Sequence, residues 1–222
     1  HRFNIKQEVV AKSGVWVAKK RYGQWIIRDA GVTVNKLDVK GLDIIRSNFP
    51  EAFRDYMKEF LMDILKNEPK DAIDKRYMDF KSNLTSIPVT TIAQPTSVKN
   101  ITKYTDKDAS RFNRAMKGTP VHVKSALNYN DFLEHNNLEK KYEVISNGNK
   151  IKWVYLKQNP YGMNTMGFKG YNDPKEVMDY LAQYIDCDRM FKGALEKKVD
   201  MFYQAMQWSQ PVDVTKTLDR FF

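Results

Sequence analysis

The stretch Val15-Trp16-Val17-Ala18-Lys19-Lys20-Arg21-Tyr22-Gly23-Gln24-Trp25-Ile26-Ile27-Arg28 decides how the rest of the chain is read. β-Branched and aromatic residues cluster and alternate along it, the pattern of two short strands. Between the apolar runs stand three cations and a phenol, Lys19, Lys20, Arg21 and Tyr22. Carried through on a strand, the pattern puts Lys20 and Tyr22 on one face and Lys19 and Arg21 on the other. Cations and an aromatic hydroxyl fixed on a sheet suit the sugar-phosphate edge of a duplex. Taken alone, the tetrapeptide reads as a solvated basic strand, and its neighbours decide between the two.

Around this stretch, residues 1–35 are β-rich, with apolar runs at Val9-Val10, 15–18, 22–28 and 32–34 and with turns expected at Ser13-Gly14 and Ala30-Gly31. So small a sheet needs a larger sheet or its own helices to pack on. Ser47-Asn48-Phe49-Pro50 reads as a helix start, followed by Phe53, Met57, Phe60, Leu61, Ile64 and Leu65 at helical spacing. Pro69 is expected to end that helix. A second, over residues 70–84, carries Ile73, Tyr77, Phe80 and Leu84 on one face and completes a helical hairpin. Residues 87–92 read as an extended piece closed by Gln94-Pro95. Tyr142 to Ile145, Asn147-Gly148 and Ile151 to Leu156 carry the signature of a β-hairpin. Asp173-Pro174 opens a further helix, and a last one is expected over residues 188–208.

Composition narrows the function. Apolar residues make up 42% and aromatics 13% of the 222 residues, which argues for a folded chain. The formal charge of +10 points to a polyanionic partner, nucleic acid ahead of an anionic membrane. Between Pro95 and Ser125, seven cations face two carboxylates, a net of +5 and half the charge of the chain. There Lys99, Asn100 and Lys103, with neighbouring hydroxyls, suit phosphate contacts without base readout. The single cysteine, Cys187, leaves no internal disulfide and fits a reducing compartment. No apolar run approaches the roughly 20 residues of a membrane span. The opening His1, without an initiator methionine, suggests a processed, truncated or split product.

Order and company give these pieces a meaning. Lys19-Lys20-Arg21-Tyr22, the turn Asp29-Ala30-Gly31 and then Asp38-Val39-Lys40-Gly41-Leu42-Asp43 resemble family B DNA polymerases of tailed bacteriophages, where the palm ends and the thumb begins. Lys117-Gly118-Thr119-Pro120-Val121-His122-Val123-Lys124, Leu127-Asn128-Tyr129-Asn130 and Asn159-Pro160-Tyr161-Gly162 resemble thumb elements of the same family, and the likeness runs from about Val9 to Phe222. It implies an α+β fold, with a small antiparallel palm segment over residues 1–41, a mainly helical thumb with an inserted hairpin over 42–208, and a tail over 209–222. It implies DNA contacts by Lys19, Lys20, Arg21, Tyr22, Arg46, Lys99, Asn100, Lys103, His122 and Lys124. Leu218, Phe221 and Phe222 follow the pattern of a clamp-binding peptide, with Thr215 where a glutamine usually stands.

Catalysis is expected to come from elsewhere. Tyr184-Ile185-Asp186-Cys187-Asp188 imitates the paired metal-binding carboxylates of these polymerases. It lies downstream of Lys-Lys-Arg-Tyr, where the family places it upstream, and between two amphipathic helices, so it is read as a helix cap. No catalytic or metal-binding residue and no cofactor is assigned to this chain. Mg2+ and dNTP belong to the complete polymerase. The implied partners are primer-template DNA, the remaining exonuclease, fingers and catalytic palm part, and a sliding clamp, in the cytoplasm of an infected bacterial host. Charge alone equally suits a stand-alone basic nucleic-acid-binding or scaffold protein without polymerase activity. That alternative leaves the ordered motifs, the incomplete sheet and the aromatic tail unconnected.

Overall fold

A computed structural model of the chain describes residues 7–211, in an α+β arrangement that forms two compact units. The first unit holds residues 7–46, Phe53–Leu84 and residues 195–211. The second holds Ser47–Ala52 and Thr85–Ala194. This division by contact groups the helical pair with the first sheet, whereas the expected boundary after residue 41 was a division by role. The clamp-peptide residues Leu218, Phe221 and Phe222 lie outside the described residues.

In the first unit, β1 (Val9–Ala18), β2 (Arg21–Asp29) and β3 (Val32–Lys40) form an antiparallel meander. Ser13-Gly14 is not the expected turn; both residues lie inside β1, next to shifts in the β1–β2 register. Ser13 Oγ donates to the Leu65 carbonyl at 2.6 Å, so its polar side chain serves helix packing and not a reversal. Ala30 and Gly31 do form the expected turn, both at positive φ, as a two-residue hairpin loop requires.

Helices α1 (Glu51–Leu65) and α2 (Lys70–Ser82) follow, with the stripe Phe53, Met57, Phe60, Leu61, Ile64 and Leu65 buried as expected. α1 ends before Pro69, through a left-handed Asn67, and Pro69 instead occupies the N-cap of α2. Leu84 falls in a 3₁₀ turn beyond α2. Gly23 of β2 lets α1 come down on the sheet: a Cβ there would meet Leu61 Cδ2 at 2.6 Å.

In the second unit, residues 87–92 are not extended. Val89–Ile92 form a one-turn helix, α3, with Pro88 as its N-cap. Strand β4 (Gln94–Ser97) starts only after it and carries Pro95 on a sheet edge, where a missing N–H is tolerated. Helix α4 (Val121–His135) packs on the sheet β4-β5-β6, formed with β5 (Lys150–Tyr155) and β6 (Thr165–Phe168).

The expected hairpin across Asn147-Gly148 is corrected here. Residues 142–145 form no strand, because the Asn130 side chain takes both backbone groups of Ile145, at 2.7 and 2.9 Å. The Asn147-Gly148 turn docks on Val98, whose backbone bonds Gly148 and Asn149, and β5 pairs with β4 and β6. Helix α5 (Lys175–Tyr184) starts from Pro174. The last helical run is α6 (Cys187–Phe191), a π-helical turn (Lys192–Glu196) and α7 (Lys197–Ala205). Among the described residues no helix is long and apolar enough to cross a membrane.

Replacing Gly23 by Ala forces a fully buried Leu61 to move. It is expected to lower stability by about 1–3 kcal/mol, read by denaturant unfolding. Unchanged stability would show that the sheet and α1 are not in the contact described.

Candidate nucleic-acid interface

The residues expected to touch DNA divide between the units. Lys19, Lys20, Arg21, Tyr22 and Arg46 belong to the first, and Lys99, Asn100, Lys103, His122 and Lys124 to the second. In the first unit, Lys19 and Lys20 form the turn between β1 and β2, not a continuous strand. Lys20 adopts φ 63°, so the strand-face pairing of Lys20 with Tyr22 does not apply; only Arg21 and Tyr22 lie on β2. The turn presents both ammonium groups to solvent.

What seats this turn is Gly41, just past β3. It sits at φ +67°, and a Cβ on it would overlap the Lys20 carbonyl oxygen. Two motifs that start 21 residues apart in sequence, Lys-Lys-Arg-Tyr and Lys-Gly-Leu-Asp, are therefore in contact. Tyr22 lies directly opposite Lys40 on one side and Trp16 on the other, with the Trp16 and Tyr22 rings 6.0 Å apart. Trp16 is 57% exposed and lies over Gly14, where it extends the row toward solvent. Sequence reading missed Trp16 as a surface residue; its strand partner Tyr22 and the absent side chain at Gly14 were the available signals. Arg46 is also exposed, with its guanidinium 3.0 Å from Asp43, which in turn pairs with Lys198.

In the second unit, Asn100 is left-handed at φ 58° and opens the 3₁₀ turn Ile101–Tyr104, on which α4 packs. Lys99, Asn100 and Lys103 are exposed on that turn, and the Lys103 ammonium lies over the Tyr104 ring. His122 and Lys124 sit half-buried in the first turns of α4. Burial lowers the His122 pKa from its ordinary value, which disfavours the charged imidazolium at this surface.

Two cations of the basic stretch are neutralised internally. Arg114 makes a bidentate pair with Glu134 at 3.0 and 2.9 Å and lies 2.9 Å from the buried Asp131 carboxylate. Arg111 adds a contact to Glu134 at 3.6 Å. Asp131 also accepts the N–H of Phe112, a bulky residue held at φ 65°, whose ring stacks on Tyr161. Burial pushes the Asp131 carboxyl up, against the pull of the Phe112 N–H and Arg114. The free positive charge of residues 95–125 is thus carried by its lysines.

Asp186 caps α6, accepting the Arg189 N–H at 2.9 Å, and Cys187 beside it is buried. The expected capping role of this acidic turn is what the structure shows. Among the described residues no three His, Cys, Asp or Glu side chains converge as a metal site.

No protein-family model matches the chain. It is similar to the DNA-directed DNA polymerase of Enterobacteria phage T4, at 25% identity over 188 residues, which cover 83% of this chain and 20% of that polymerase. The chain thus spans about a fifth of the length of the curated relative it matches. The similarity supports a relationship to DNA polymerases.

Two predictions follow from the local chemistry. Gly41→Ala is expected to lose about 1–3 kcal/mol in denaturant unfolding, from the left-handed backbone and the overlap with Lys20; a variant of native stability would contradict the seating of the turn. The Arg114 hydrogen bond holds the Glu134 carboxyl below its ordinary range. Its stabilisation is therefore present above the unfolded-state pKa of about 4.3 and is lost as pH falls through the lower folded value. Asp131, shifted upward, acts in the opposite sense, its ionisation costing stability as pH rises. Glu134→Gln should lower Tm near neutral pH, with the difference from the parent shrinking as the pH drops below about 4. A pH-independent difference would count against the ion pair.

Proposed function

We propose that this chain is the palm-end and thumb segment of a DNA polymerase of the family B, tailed-bacteriophage type. It holds primer-template duplex by backbone contacts, while the carboxylates, Mg2+ and dNTP site come from the rest of the polymerase. The observation that carries this reading is the seating of the Lys19-Lys20 turn on Gly41. Two exposed lysines, followed by Arg21 and Tyr22, stand at a turn packed closely against Gly41. Fixed cations position a duplex without reading its sequence. The similarity to the phage T4 polymerase supports the DNA-polymerase part of this reading. Lys99, Asn100, Lys103 and Lys124 extend the grip in the second unit, His122 acts there as a neutral polar contact, and Arg46 belongs to the first. The tail residues Leu218, Phe221 and Phe222 tether the assembly to a sliding clamp, in the cytoplasm of an infected bacterium.

The test is equilibrium binding to a labelled primer-template at stepped salt. Affinity is expected to fall steeply with salt, and Lys20→Ala to weaken binding uniformly across sequences and reduce the salt slope by about 1, with the circular dichroism spectrum retained. Unchanged affinity and slope in a folded Lys20→Ala protein would sink the assignment. Deleting residues 218–222 should abolish clamp binding and leave DNA affinity intact. A stand-alone DNA-binding protein would show no clamp binding at the outset.

A further inference from the structure

The second unit carries a basic cleft that the duplex-gripping residues do not use. It is an open cleft of about 680 Å³ beside β4 and β5, lined by Lys150, Lys152 and Lys169, with no carboxylate among its described lining residues. Lys150 lies directly opposite Ser97 and Lys152 opposite Pro95 in the β4–β5 ladder, so the two stems are two residues apart on one face. Ser47, Thr96 and Ser97 line the same space. Lys152 donates to the Thr90 carbonyl at 2.7 Å, which anchors its ammonium in place.

Two features separate this cleft from an ordinary solvated basic face. The Lys169 side chain is only 6% exposed, yet its ion-pair partner Glu143 is 83% exposed. A buried ammonium whose counter-ion stands in water can exchange that carboxylate for a phosphate at little cost. Tyr171, which also lines the cleft, is 63% exposed. It follows a fixed turn, in which the Asp173 carboxylate accepts the N–H groups of Lys169 and Gly170 at 2.8 and 2.7 Å. An exposed phenol is thus presented by a hydrogen-bonded turn, with the Lys169 ammonium 5.9 Å from its ring centroid and Lys150 and Lys152 lining the same cleft.

We propose that this cleft binds single-stranded nucleic acid, with phosphates on Lys150, Lys152 and Lys169 and a base stacked on Tyr171. A duplex keeps its base faces inside the stack and offers a protruding ring nothing to cover, whereas an unpaired strand exposes them. The volume is that of a ligand pocket, suited to one or two nucleotides. The inference rests on the reading of the chain as a nucleic-acid-binding polymerase segment, and adds to it a second strand class held by residues other than those named for the duplex.

The test is fluorescence anisotropy on the full chain, with oligo(dT) and oligo(U) of roughly 12 nucleotides and a duplex of the same length. Lys150→Glu and Tyr171→Ala alter exposed side chains. Each is expected to weaken single-strand binding about fivefold or more, with duplex affinity held within about twofold and Tyr171→Phe behaving as the parent. Loss of either single strand in both variants supports the proposal. Unchanged single-strand affinity in both variants, or single-strand and duplex affinities falling together, overturns it. Single-strand binding through the cleft by a chain that binds no duplex would leave this inference standing and remove the duplex grip proposed above.

Discussion

A backbone contact at Gly41 sets the first unit's candidate interface. With no side chain and a left-handed φ, Gly41 brings the end of β3 against the Lys20 carbonyl. That contact determines where the β1–β2 turn stands, and with it the two lysines. The strand ladder then places Tyr22 between Trp16 and Lys40. The following residues are held by charge, through Asp43 and its pairs with Arg46 and Lys198. A set turn backbone spares an anionic partner the cost of ordering the main chain, which is the physical basis for a positional role.

The second unit reaches the same end by another route. Its basic stretch is tied to α4 by a buried carboxylate, Asp131, and by the Arg114–Glu134 pair. With the Arg111 contact to Glu134, they engage two arginines of the stretch internally, so the loop has shape as well as charge. Phe112 at positive φ is the strained point of that arrangement, held by a hydrogen bond to Asp131 and a stack on Tyr161.

Much of this was legible in the sequence. The helical stripe of α1 and the turn at Ala30-Gly31 follow from periodicity and local chemistry, as does the cap at Asp186. What was not legible depended on long-range partners. Nothing local reveals that Asn130 occupies the backbone of Ile145 and so removes a strand, or that β4 takes its place beside β5. Ser13-Gly14 has the composition of a turn, but its surroundings hold it in a strand, with Ser13 bonded to Leu65 and Gly14 beneath Trp16. The Lys19–Tyr22 run was legible as a cluster but not as a turn, because lysine rarely adopts the positive φ found at Lys20. The internal use of Arg111 and Arg114 was hidden because their partner Glu134 is some twenty residues away on α4.

The central claim is that this chain supplies the hold on DNA and another part of the polymerase supplies the chemistry. The most direct measurement is primer extension on a labelled primer-template with Mg2+ and all four dNTPs. It would use this chain alone, the remaining polymerase part alone, and the two together. The account predicts no extension by this chain alone and strong, salt-sensitive extension only when the two are combined. Extension by a sample containing these 222 residues and nothing else would contradict it, as would full activity of the remaining part without this chain.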